Sequence, residues 1–355
     1  MRRFEIIMAG GGGTRFWPLS RRTRPKQLLN ITGRDILINE TILRLDELID
    51  REDVYIVTNE EQQELMKELL VGGIPFRNIL VEPVGRNTAP CILYAAALLY
   101  RQHGEGVLCV CSSDHHIGNE AEYRRVIARA SQIAEQTNNI ITIGIRPSCP
   151  ATGYGYIRRG VAVESDAWKV EQFVEKPDAV TAQRYLESGE FTWNSGVFIA
   201  RTSVLLEAFR RFLPDMVQAM DRIVECAGTP EGAAVLREVY PTLQNISIDY
   251  GIMEQADNVL VMEGDYGWSD VGSFDALDTV YTPDENGNIS IGDNLLVDSR
   301  GCTVRGQDRL IAVVGADNLV VVDSGDAVLV CPKEHAQDAK KAVVELEKLG
   351  RTELL

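Results

Sequence analysis

Apolar segments alternate with amphipathic ones from the N-terminus to residue 145. Near-continuous apolar stretches, typical of strands covered on both faces, lie at residues 4–8, 54–58, 78–81, 107–111 and 140–145. Apolar residues recur at helical spacing in residues 36–49, 60–70, 89–102 and 120–136. This alternation predicts an α/β fold with a doubly wound, mostly parallel sheet.

The pattern becomes more mixed after residue 145 and changes again after residue 282. Strands are predicted at 170–174, 191–200 and 259–262, and helices at 203–226, 231–239 and 247–255. Residues 283–288 form a polar linker rich in turn residues. Beyond it, short strands are predicted at 295–297, 303–305, 310–314, 319–322 and 327–330, and a helix at 334–349. We therefore predict two domains, residues 1–282 and a small C-terminal β-coil or β-helix at residues 283–355.

A glycine-rich loop follows the first predicted strand. Residues 8–21 read Met-Ala-Gly-Gly-Gly-Gly-Thr-Arg-Phe-Trp-Pro-Leu-Ser-Arg, and Lys26 comes shortly afterwards. Glycines let the backbone turn sharply and present N–H groups to an anion, and Arg15 and Lys26 add two cations. A dinucleotide fingerprint is the alternative, but Arg15 stands where its third glycine would pack helix against strand. No Gly-Lys-Ser/Thr follows, which excludes a Walker A loop, so we favour a nucleoside triphosphate as the ligand.

Charge and composition narrow the classes of partner. The formal net charge is −16, which argues against general nucleic-acid binding because phosphate backbones require a basic surface. A small phosphorylated ligand needs only a few local cations or a metal ion. No apolar run reaches the roughly 20 residues of a membrane helix, and the N-terminus has no signal-peptide pattern. The seven cysteines form no C-x-x-C pair, so we expect buried free thiols, among them Cys109 and Cys111, in a cytoplasmic protein.

Eight motifs, of which the glycine-rich loop is the first, follow one another in an order typical of a known family. The other seven are Glu82-Pro83 with Arg86-Asn87-Thr88-Ala89-Pro90, Ser113-Asp114-His115, Thr152-Gly153-Tyr154-Gly155-Tyr156-Ile157, Phe173-Val174-Glu175-Lys176-Pro177, Trp193-Asn194-Ser195-Gly196, Ile248-Asp249-Tyr250 and Trp268-Ser269-Asp270-Val271-Gly272. Together they resemble the sugar-nucleotide pyrophosphorylases over residues 1–280. The Trp-Pro-Leu-Ser-Arg part of the loop is most similar to the mannose-1-phosphate guanylyltransferases. The resemblance implies a Rossmann-like, GT-A-like nucleotidyltransferase fold and Mg²⁺-dependent conversion of GTP and α-D-mannose 1-phosphate to GDP-mannose and diphosphate.

The resemblance also implies a set of nucleotide-binding residues. In the family's reaction a sugar-phosphate oxygen attacks the α-phosphorus in line, and pyrophosphate leaves. Arg15 and Lys26 are the candidate electrostatic catalysts, because fixed cations stabilise charge that develops on the leaving oxygens. Glu82, Arg86, Asn87 and Thr88 resemble the base-reading loop, although Asn87 is also a good N-cap for the following helix. The predicted nucleotide-binding residues are Ala9, Gly10, Gly11, Gly12, Gly13, Thr14, Arg15, Lys26, Glu82, Asn87, Thr88 and Ser113.

Two aspartates are the candidate metal ligands. Asp114 ends a predicted strand and Asp270 follows a Trp-Ser turn, and either position alone is common for a turn or capping residue. The resemblance implies that both carboxylates bind Mg²⁺, which prefers oxygen ligands and retains waters. His115 and His116 have no companion Cys/His spacing, so we expect a structural role for them rather than a zinc site.

The sugar phosphate is expected on the opposite wall of the site. By resemblance, Lys176 binds its phosphate and Glu175 accepts hydrogen bonds from the sugar hydroxyls. Asn194 and Asp249 are implied as further hydroxyl partners, and Gly153 as a point where the backbone approaches the sugar. Charged residues at a strand end, such as Glu175 and Lys176, are otherwise ordinary solvated positions.

Other functions fit parts of the sequence. A related sugar-1-phosphate nucleotidyltransferase could use another base or sugar, and a non-catalytic GDP-mannose sensor could share the binding residues. A nicotinamide-dependent oxidoreductase would rest on the glycines alone. Family members often carry a long C-terminal cupin-type isomerase domain, for which residues 283–355 are too few, so we expect one activity. The C-terminal region is expected to cover the first domain or to form the contact of a homodimer, because its apolar strands would otherwise leave exposed edges.

Overall fold

A mixed sheet of nine strands forms the centre of the first domain in the computed structural model, which describes residues 1–355. Eleven strands precede the linker: β1 (Arg3–Met8), β2 (Val54–Asn59), β3 (Ile79–Glu82), β4 (Val107–Ser112), β5 (His116–Ile117), β6 (Ile140–Ile145), β7 (Tyr156–Glu164), β8 (Ala167–Val174), β9 (Phe191–Arg201), β10 (Val259–Gly264) and β11 (Trp268–Ser269). The sheet order is β3-β2-β1-β4-β9-β6-β10-β8-β7, and β5 pairs separately with β11. Every strand predicted in this domain is therefore present.

The direction of the strands departs from the prediction. Strands β3, β2, β1 and β4 are parallel neighbours, as are β6 and β10. Strand β9 runs antiparallel between β4 and β6, and β7 and β8 add an antiparallel edge. The prediction of a mostly parallel sheet is wrong beyond β4, because the sheet there is mainly antiparallel. A buried strand carries the same apolar pattern in either direction, so periodicity reports the strand but not its orientation.

Helices cover both faces of the sheet, as expected for a doubly wound fold. They are α1 (Leu37–Arg44), α2 (Glu60–Leu69), α3 (Thr88–His103), α4 (Glu120–Gln136), α5 (Ala179–Ser188), α6 (Thr202–Phe212), α7 (Pro214–Cys226) and α8 (Gly232–Val239). Successive residues of β1 face different cores: Ile6 packs with α3, α6 and α7, and Ile7 packs with α1 and α4. Residues 247–255 contribute a single π-type turn, Asp249–Met253.

The parallel half of the sheet determines where the polar loops meet. Met8 at the end of β1 lies beside Ser112 at the end of β4, and Glu82 ends β3 beside Asn59 at the end of β2. The carboxyl ends of these strands share one edge, where ligands of open α/β sheets bind. The glycine-rich loop, Glu82 and Asp114 are thereby brought to the same rim.

The C-terminal residues form a β-coil. Its elements are β12 (Ile289–Ile291), β13 (Asn294–Val297), β14 (Thr303–Arg305), β15 (Ile311–Val314), β16 (Leu319–Asp323), β17 (Val328–Pro332) and α9 (Ala339–Lys348). Strands β12, β14 and β16 are parallel neighbours in one sheet, and β13 and β15 are parallel in another. Because consecutive strands alternate between two sheets, the chain winds as a coil, which confirms the predicted architecture.

This β-coil packs directly on the signature loop of the first domain. Phe16 and Leu29 share one apolar cluster with Val320 and Val322 of β16. The indole Nε1 of Trp17 donates to the backbone oxygen of Leu354 at 2.9 Å. The coil therefore covers the first domain, which is one of the two placements expected from the sequence.

Two expectations from the sequence concern the helices and the cysteines. No helix combines the length and apolar content required to span a bilayer. All seven cysteines carry free thiols, and Cys109 and Cys111 are buried in β4, as predicted. Burial raises the pKa of both thiols, so they act as packing groups rather than as nucleophiles.

Candidate active site

Two adjoining clefts open at the carboxyl edge of β1, β3 and β4. The Lys26 cleft has a volume of about 440 Å³ and is lined by Gly13, Thr14, Arg15, Phe16, Lys26, Ser112, Asp114, His115, Asp270, Gly272 and Lys340. The Glu82 cleft has a volume of about 320 Å³ and is lined by Met8, Gly10, Gly11, Gln27, Glu82, Gly85, Asn87, Thr88, Cys91, Ser112, Ser113 and Asp114. Ser112 and Asp114 line both, so the clefts form one continuous groove above the sheet.

Gly13 fixes the turn that places the loop against Lys26. Its φ of 62° lies in the left-handed region, and a Cβ built there would stand 2.5 Å from the Cβ of Lys26. A side chain at this position would clash as well as strain the backbone. The glycine is therefore a requirement of the close approach between the loop and the short 3₁₀ turn Lys26–Leu28.

Gln27 anchors the first part of the glycine loop through hydrogen bonds to its backbone. Its amide Nε2 donates to the backbone oxygens of Ala9 at 2.9 Å and Gly11 at 3.1 Å, and to Oε1 of Gln62 at 2.9 Å. The side chain is buried. Sequence reasoning missed this role, although Gln27 directly follows Lys26 in the Pro-Lys-Gln motif. The predicted binding residues Ala9 and Gly12 lie outside the cleft linings, and the Ala9 carbonyl is occupied by Gln27.

Lys26 joins the two predicted metal-binding aspartates. Its ammonium lies 2.9 Å from Oδ2 of Asp114 and also donates to the backbone oxygen of Asp270. Burial is the largest influence and would raise the pKa of Asp114, but the charge and hydrogen bond of Lys26, together with His115, outweigh it, so the pKa lies below its usual value. Asp114 is therefore ionised at neutral pH. Loops far apart in the chain, at Asp114 and Asp270, meet on this one lysine.

Tyr154 orients the carboxylate of Asp270. Its hydroxyl donates to Oδ1 of Asp270 at 2.6 Å, and its ring packs edge-on against Trp193 and Trp268. Oδ2 of Asp270 and Oδ1 of Asp114 accept no hydrogen bond from the protein. Each aspartate thus presents one unoccupied oxygen. Tyr154 belongs to one of the sequence motifs, but nothing in the motif's spacing indicates its link to Asp270.

Arg15 and His115 complete the lining of the Lys26 cleft. Arg15 is exposed and forms neither an ion pair nor a side-chain hydrogen bond. The indole of Trp268 donates to Nδ1 of His115 at 3.3 Å, and burial lowers the pKa of this histidine. His116 pairs with Ser269 in the β5–β11 ladder. The chain has no group of three or more His, Cys, Asp or Glu side chains arranged to hold a metal ion.

Glu82 is the buried acid of the second cleft. The hydroxyl of Tyr240 donates to its Oε1, and burial raises the pKa of Glu82 to about 7. Asn87 serves as the N-cap of α3, where its Oδ1 accepts from the backbone N–H of Thr88 at 2.9 Å. Asn87 and Thr88 also line the cleft, so the capping and binding interpretations are compatible. The guanidinium of Arg86 instead donates to the carbonyl of Pro241, outside the cleft lining.

A further polar group, which we call the Asp249 cluster, contains Glu175, Lys176, Asn194 and Asp249. Lys176 Nζ lies 2.6 Å from Oε1 of Glu175, and Asn194 Nδ2 donates to Oδ1 of Asp249 at 2.9 Å. Burial and the neighbouring charge of Glu175 raise the pKa of Asp249 to about 6. The structure therefore brings together four of the five residues predicted on the sugar side.

The fifth predicted residue, Gly153, has open space at its Cβ position. A Cβ at Gly153 would meet nothing within 4 Å, whereas one at Gly155 would stand 2.5 Å from Oε2 of Glu175. Gly155 is therefore the glycine that the Asp249 cluster requires. Its backbone oxygen accepts from the N–H of Asn194 at 2.8 Å, which ties the loop to the cluster. Tyr154 lies next to Gly155 and connects this loop to Asp270 in the Lys26 cleft.

Two protein-family models match successive parts of the chain. Residues 4–286 match the family described as Nucleotidyl transferase. Residues 292–346 match the family described as MannoseP isomerase/GMP-like beta-helix domain. The first match contains all the residues of the Glu82 cleft and the Asp249 cluster, and the second contains most of the β-coil.

Individual proteins are similar over nearly the whole chain. A mannose-1-phosphate guanylyltransferase from Klebsiella pneumoniae is 40% identical over 98% of this chain and 74% of its own. The xanthan biosynthesis protein XanB of Xanthomonas campestris pv. campestris (strain B100) is 41% identical over the same shares. A crystal structure from Thermus thermophilus, described as a mannose-1-phosphate geranyltransferase, is 36% identical with a TM-score of 0.89, and covers 98% of this chain and 100% of its own.

Proposed function

Since this chain belongs to the nucleotidyl transferase family, we propose that it converts GTP and α-D-mannose 1-phosphate to GDP-mannose and diphosphate. The observation that carries the proposal is the meeting of Lys26, Asp114 and Asp270 between two clefts. The Lys26 cleft has the cations that a triphosphate requires, and the Glu82 cleft has a carboxyl group suited to hydrogen bonding with a nucleobase. Relatives at 40% identity over nearly the whole chain carry the name of this activity.

The Glu82 cleft is the proposed site for guanine. Guanine presents the donors N1–H and N2–H and the acceptor O6. An ionised Glu82 accepts hydrogen bonds from both donors, while Asn87 and Thr88 close the cleft beside it. Because Ser113 and Asp114 follow on the same rim, the triphosphate extends from this cleft toward Lys26. The glycine loop then lies along the phosphates, where its backbone N–H groups face negative charge.

Asp114 and Asp270 fit a divalent cation. Each has one carboxylate oxygen without a protein donor, and Lys26 and His115 together hold the pKa of Asp114 below its usual value. Two carboxylates with remaining positions for phosphate oxygens and water match the preference of Mg²⁺. A bound Mg²⁺ would supply charge stabilisation for the phosphoryl oxygens. The protein's part is to hold these two side chains, through Lys26 and Tyr154, in a fixed orientation.

The proposed reaction is an in-line displacement at the α-phosphorus. A phosphate oxygen of mannose 1-phosphate forms the new bond, and the bond from the α-phosphorus to the bridging oxygen breaks. The electron pair stays on that bridging oxygen, which leaves as part of pyrophosphate. Arg15 and Lys26 offset the charge that accumulates there, and Lys26 is held in place by its contacts with Asp114 and Asp270. The attacking phosphate is already ionised at neutral pH, so no general base is required.

The Asp249 cluster is the proposed site for mannose 1-phosphate. Lys176 pairs with Glu175 in the structure and supplies a cation for the sugar phosphate. Asn194 and Asp249 are held in fixed orientations and have the polarity that sugar hydroxyls require. Tyr154 donates to Asp270 and packs against Trp193, the chain neighbour of Asn194, so the two substrates are proposed to meet near its ring.

We also propose a cytoplasmic homodimer that forms through the β-coil. Seven free thiols suit a reducing compartment. Strands β13 and β15 expose one apolar face, formed by Leu295, Val297 and Val314, and Val330 is exposed on β17. Contiguous exposed apolar surface of this kind marks protein contacts, and a second copy of the chain would cover it.

A substrate panel tests the proposed activity. Pyrophosphate release would be measured with GTP, ATP, UTP and dTTP, each combined with mannose 1-phosphate or glucose 1-phosphate, with and without Mg²⁺. We expect the fastest release from GTP with mannose 1-phosphate, and none after chelation of the metal. Equal or faster turnover with UTP or dTTP would contradict the guanylyl assignment. Binding of GDP-mannose without any turnover would instead favour a sensor.

A further inference from the structure

One residue of the C-terminal β-coil domain reaches the Lys26 cleft. Lys340, the second residue of α9, lines this cleft together with Gly13, Thr14 and Arg15 of the signature loop. It is the sole lining residue that lies beyond the linker at 283–288. Neither the sequence motifs nor the proposed function assigns it a role.

Packing fixes the position of α9 relative to the loop. The helix contacts the Thr14–Phe16 turn, and the 3₁₀ turn before it buries Ala336 in the same cluster as Phe16. The bond from Trp17 to Leu354 anchors the chain on the far side of the helix. Lys340 is thereby placed at the cleft by buried contacts on both sides and not by a flexible tail.

The lysines of α9 differ in their partners. Lys341 lies 2.9 Å from Asp338, and Lys348 lies 2.6 Å from Glu345. Lys340 forms no ion pair and no side-chain hydrogen bond, and it is exposed toward the cleft. The chain has a net charge of −16, yet two unpaired cations, Lys340 and Arg15, line this one cleft. The pair favours a ligand with more than one negative charge.

The position of Lys340 indicates which part of the ligand it would bind. Lys340 is absent from the Glu82 cleft, so it does not contact a base. The sugar phosphate has its own cation, Lys176, in the Asp249 cluster. Lys26 is occupied by Asp114 and by the Asp270 carbonyl. The pair of terminal phosphates, which leaves as pyrophosphate, carries the most negative charge, and Arg15 is the one unpaired cation that the first domain supplies to this cleft.

We propose that Lys340 binds the β- and γ-phosphates of the triphosphate and the departing pyrophosphate, so that the C-terminal domain completes the active site. This inference rests on the proposed function for its choice of ligand. As the α-phosphorus–oxygen bond breaks, the electron pair moves to the bridging oxygen, and Lys340 and Arg15 together offset the added charge. The β-coil thus has a direct part in binding in addition to covering the loop.

The test compares Lys340→Ala with Lys340→Arg and with Lys341→Ala as the matched control on the same helix. Binding of inorganic pyrophosphate with Mg²⁺ would be measured by calorimetry, and kinetics with GTP and mannose 1-phosphate on the full chain. We expect Lys340→Ala to weaken pyrophosphate binding and kcat/KM for GTP by about 10- to 100-fold, the range for a charged hydrogen bond. The KM for mannose 1-phosphate should stay unchanged. Lys340→Arg should restore most of the loss, and Lys341→Ala should match the unaltered protein.

Two results would overturn the inference. Unchanged pyrophosphate binding in Lys340→Ala would show that the residue does not touch the phosphates. An equal loss in Lys341→Ala would show that the effect comes from the helix and not from the Lys340 charge. If the unaltered protein binds pyrophosphate through Lys340 but turns over no substrate pair, the proposed function fails while the phosphate site stands.

Discussion

At the scale of single residues, Lys26 organises the site. Its buried ammonium holds a carboxylate from the end of β4 and a carbonyl from the loop after β11, so two distant segments meet at one charge. The same contact lowers the pKa of Asp114 against the opposing effect of burial. An aspartate that remains ionised although partly buried is suited to bind a cation. The chemistry of the cleft thus depends on one ion pair inside the protein.

Asp270→Asn tests the metal-binding role directly. The amide oxygen can still accept from Tyr154, so the fold should be kept while one negative charge is lost. We expect kcat to fall by on the order of 100-fold or more, because several kcal/mol of charge stabilisation are removed. Mannose 1-phosphate binding, measured by calorimetry, should change little. Exposed Asp265→Asn is the control, and a near-normal rate of Asp270→Asn in Mg²⁺ would refute the role.

Glu82 predicts a pH dependence of nucleotide binding. Its pKa of about 7 means that the carboxylate becomes ionised as pH rises through neutrality, and only the ionised form accepts from both guanine donors. The KM for GTP should therefore fall as pH rises through this value, and Glu82→Gln should show a smaller fall. Inosine triphosphate, which lacks the N2 donor, should respond less than GTP. Identical pH profiles for Glu82→Gln and the unaltered protein would contradict the assignment.

At the scale of elements, short turns supply residues of the candidate site, whereas the long helices and strands form the sheet and its covering layers. The glycine loop, the Thr14–Phe16 turn and the Lys26–Leu28 turn supply five of the eleven residues that line the Lys26 cleft. Their geometry depends on the contact between Gly13 and Lys26 and on the three hydrogen bonds donated by Gln27. Helices and strands place these turns but contribute few contacts to the clefts.

Gly13→Ala should disrupt this arrangement, whereas Gly12→Ala should not. Alanine at 13 would adopt a left-handed conformation, which costs about 1–2 kcal/mol, and would also displace the Cβ of Lys26. A Cβ at Gly12 meets nothing within 4 Å, so its effect on stability should stay within about 0.5 kcal/mol. Denaturant unfolding measures both variants. Equal stability of the two would show that the close approach is not required.

The long elements were the most predictable part of the sequence. Helix α4 spans Glu120–Gln136, as the periodicity predicted, because its apolar stripe is regular and Asn119 caps it. The helix predicted at 36–49 ends at Arg44. Leu45 and Leu48 continue the apolar spacing that predicted a longer helix, but they lie in overlapping turns. The direction of β9 could not be predicted, because apolar periodicity is the same for both orientations.

The site residues that were predictable are those that the family motifs identify. Asp114, Asp270 and Lys26 meet as expected because the family resemblance identifies all three. Tyr154 and Lys340 were missed, since their roles depend on packing between distant segments that no local spacing reports. The role of Gly153 stays a prediction, and the contact of Gly155 with Glu175 was missed because only the folded chain shows it.

At the scale of the whole molecule, burial of acids sets the response to pH. Burial raises the pKa of Glu5 to about 8, that of Glu82 to about 7 and that of Asp249 to about 6. Between the ordinary pKa of these acids and their raised values, the folded state therefore binds more protons than the unfolded chain. The contribution of these acids to the free energy of unfolding therefore decreases as pH rises through this window, whereas the lowered pKa values of His103, His115 and His116 act in the opposite direction near the ordinary pKa of histidine.

Glu5→Gln should reduce this dependence. The glutamine resembles the protonated acid, so it removes the cost of ionising a fully buried carboxyl in β1. We expect the Tm of the ligand-free protein to fall as pH rises toward the raised pKa of about 8, and the fall to be smaller in Glu5→Gln. Exposed Glu171→Gln serves as the control. A Tm that rises with pH in the unaltered protein would show that these acids are not protonated in the fold.

The apolar face of the β-coil predicts how the molecule associates. Val314 is exposed next to Val297 in the β13–β15 ladder. A charge at the centre of a dimer contact would be buried without a partner, so Val314→Glu should give a monomer by light scattering. Val161→Glu, at an exposed valine of β7, should leave the mass unchanged. A dimer that persists in Val314→Glu would place the contact elsewhere.

The fate of labelled phosphate tests the central claim most directly. GTP labelled at the α-phosphate or at the γ-phosphate would be incubated with mannose 1-phosphate, Mg²⁺ and the protein. We predict that the α-label appears in GDP-mannose, that the γ-label appears in pyrophosphate in equal amount, and that neither product forms without the sugar phosphate. Release of the α-label as free GMP, or its absence from any nucleotide sugar, would contradict the proposed reaction.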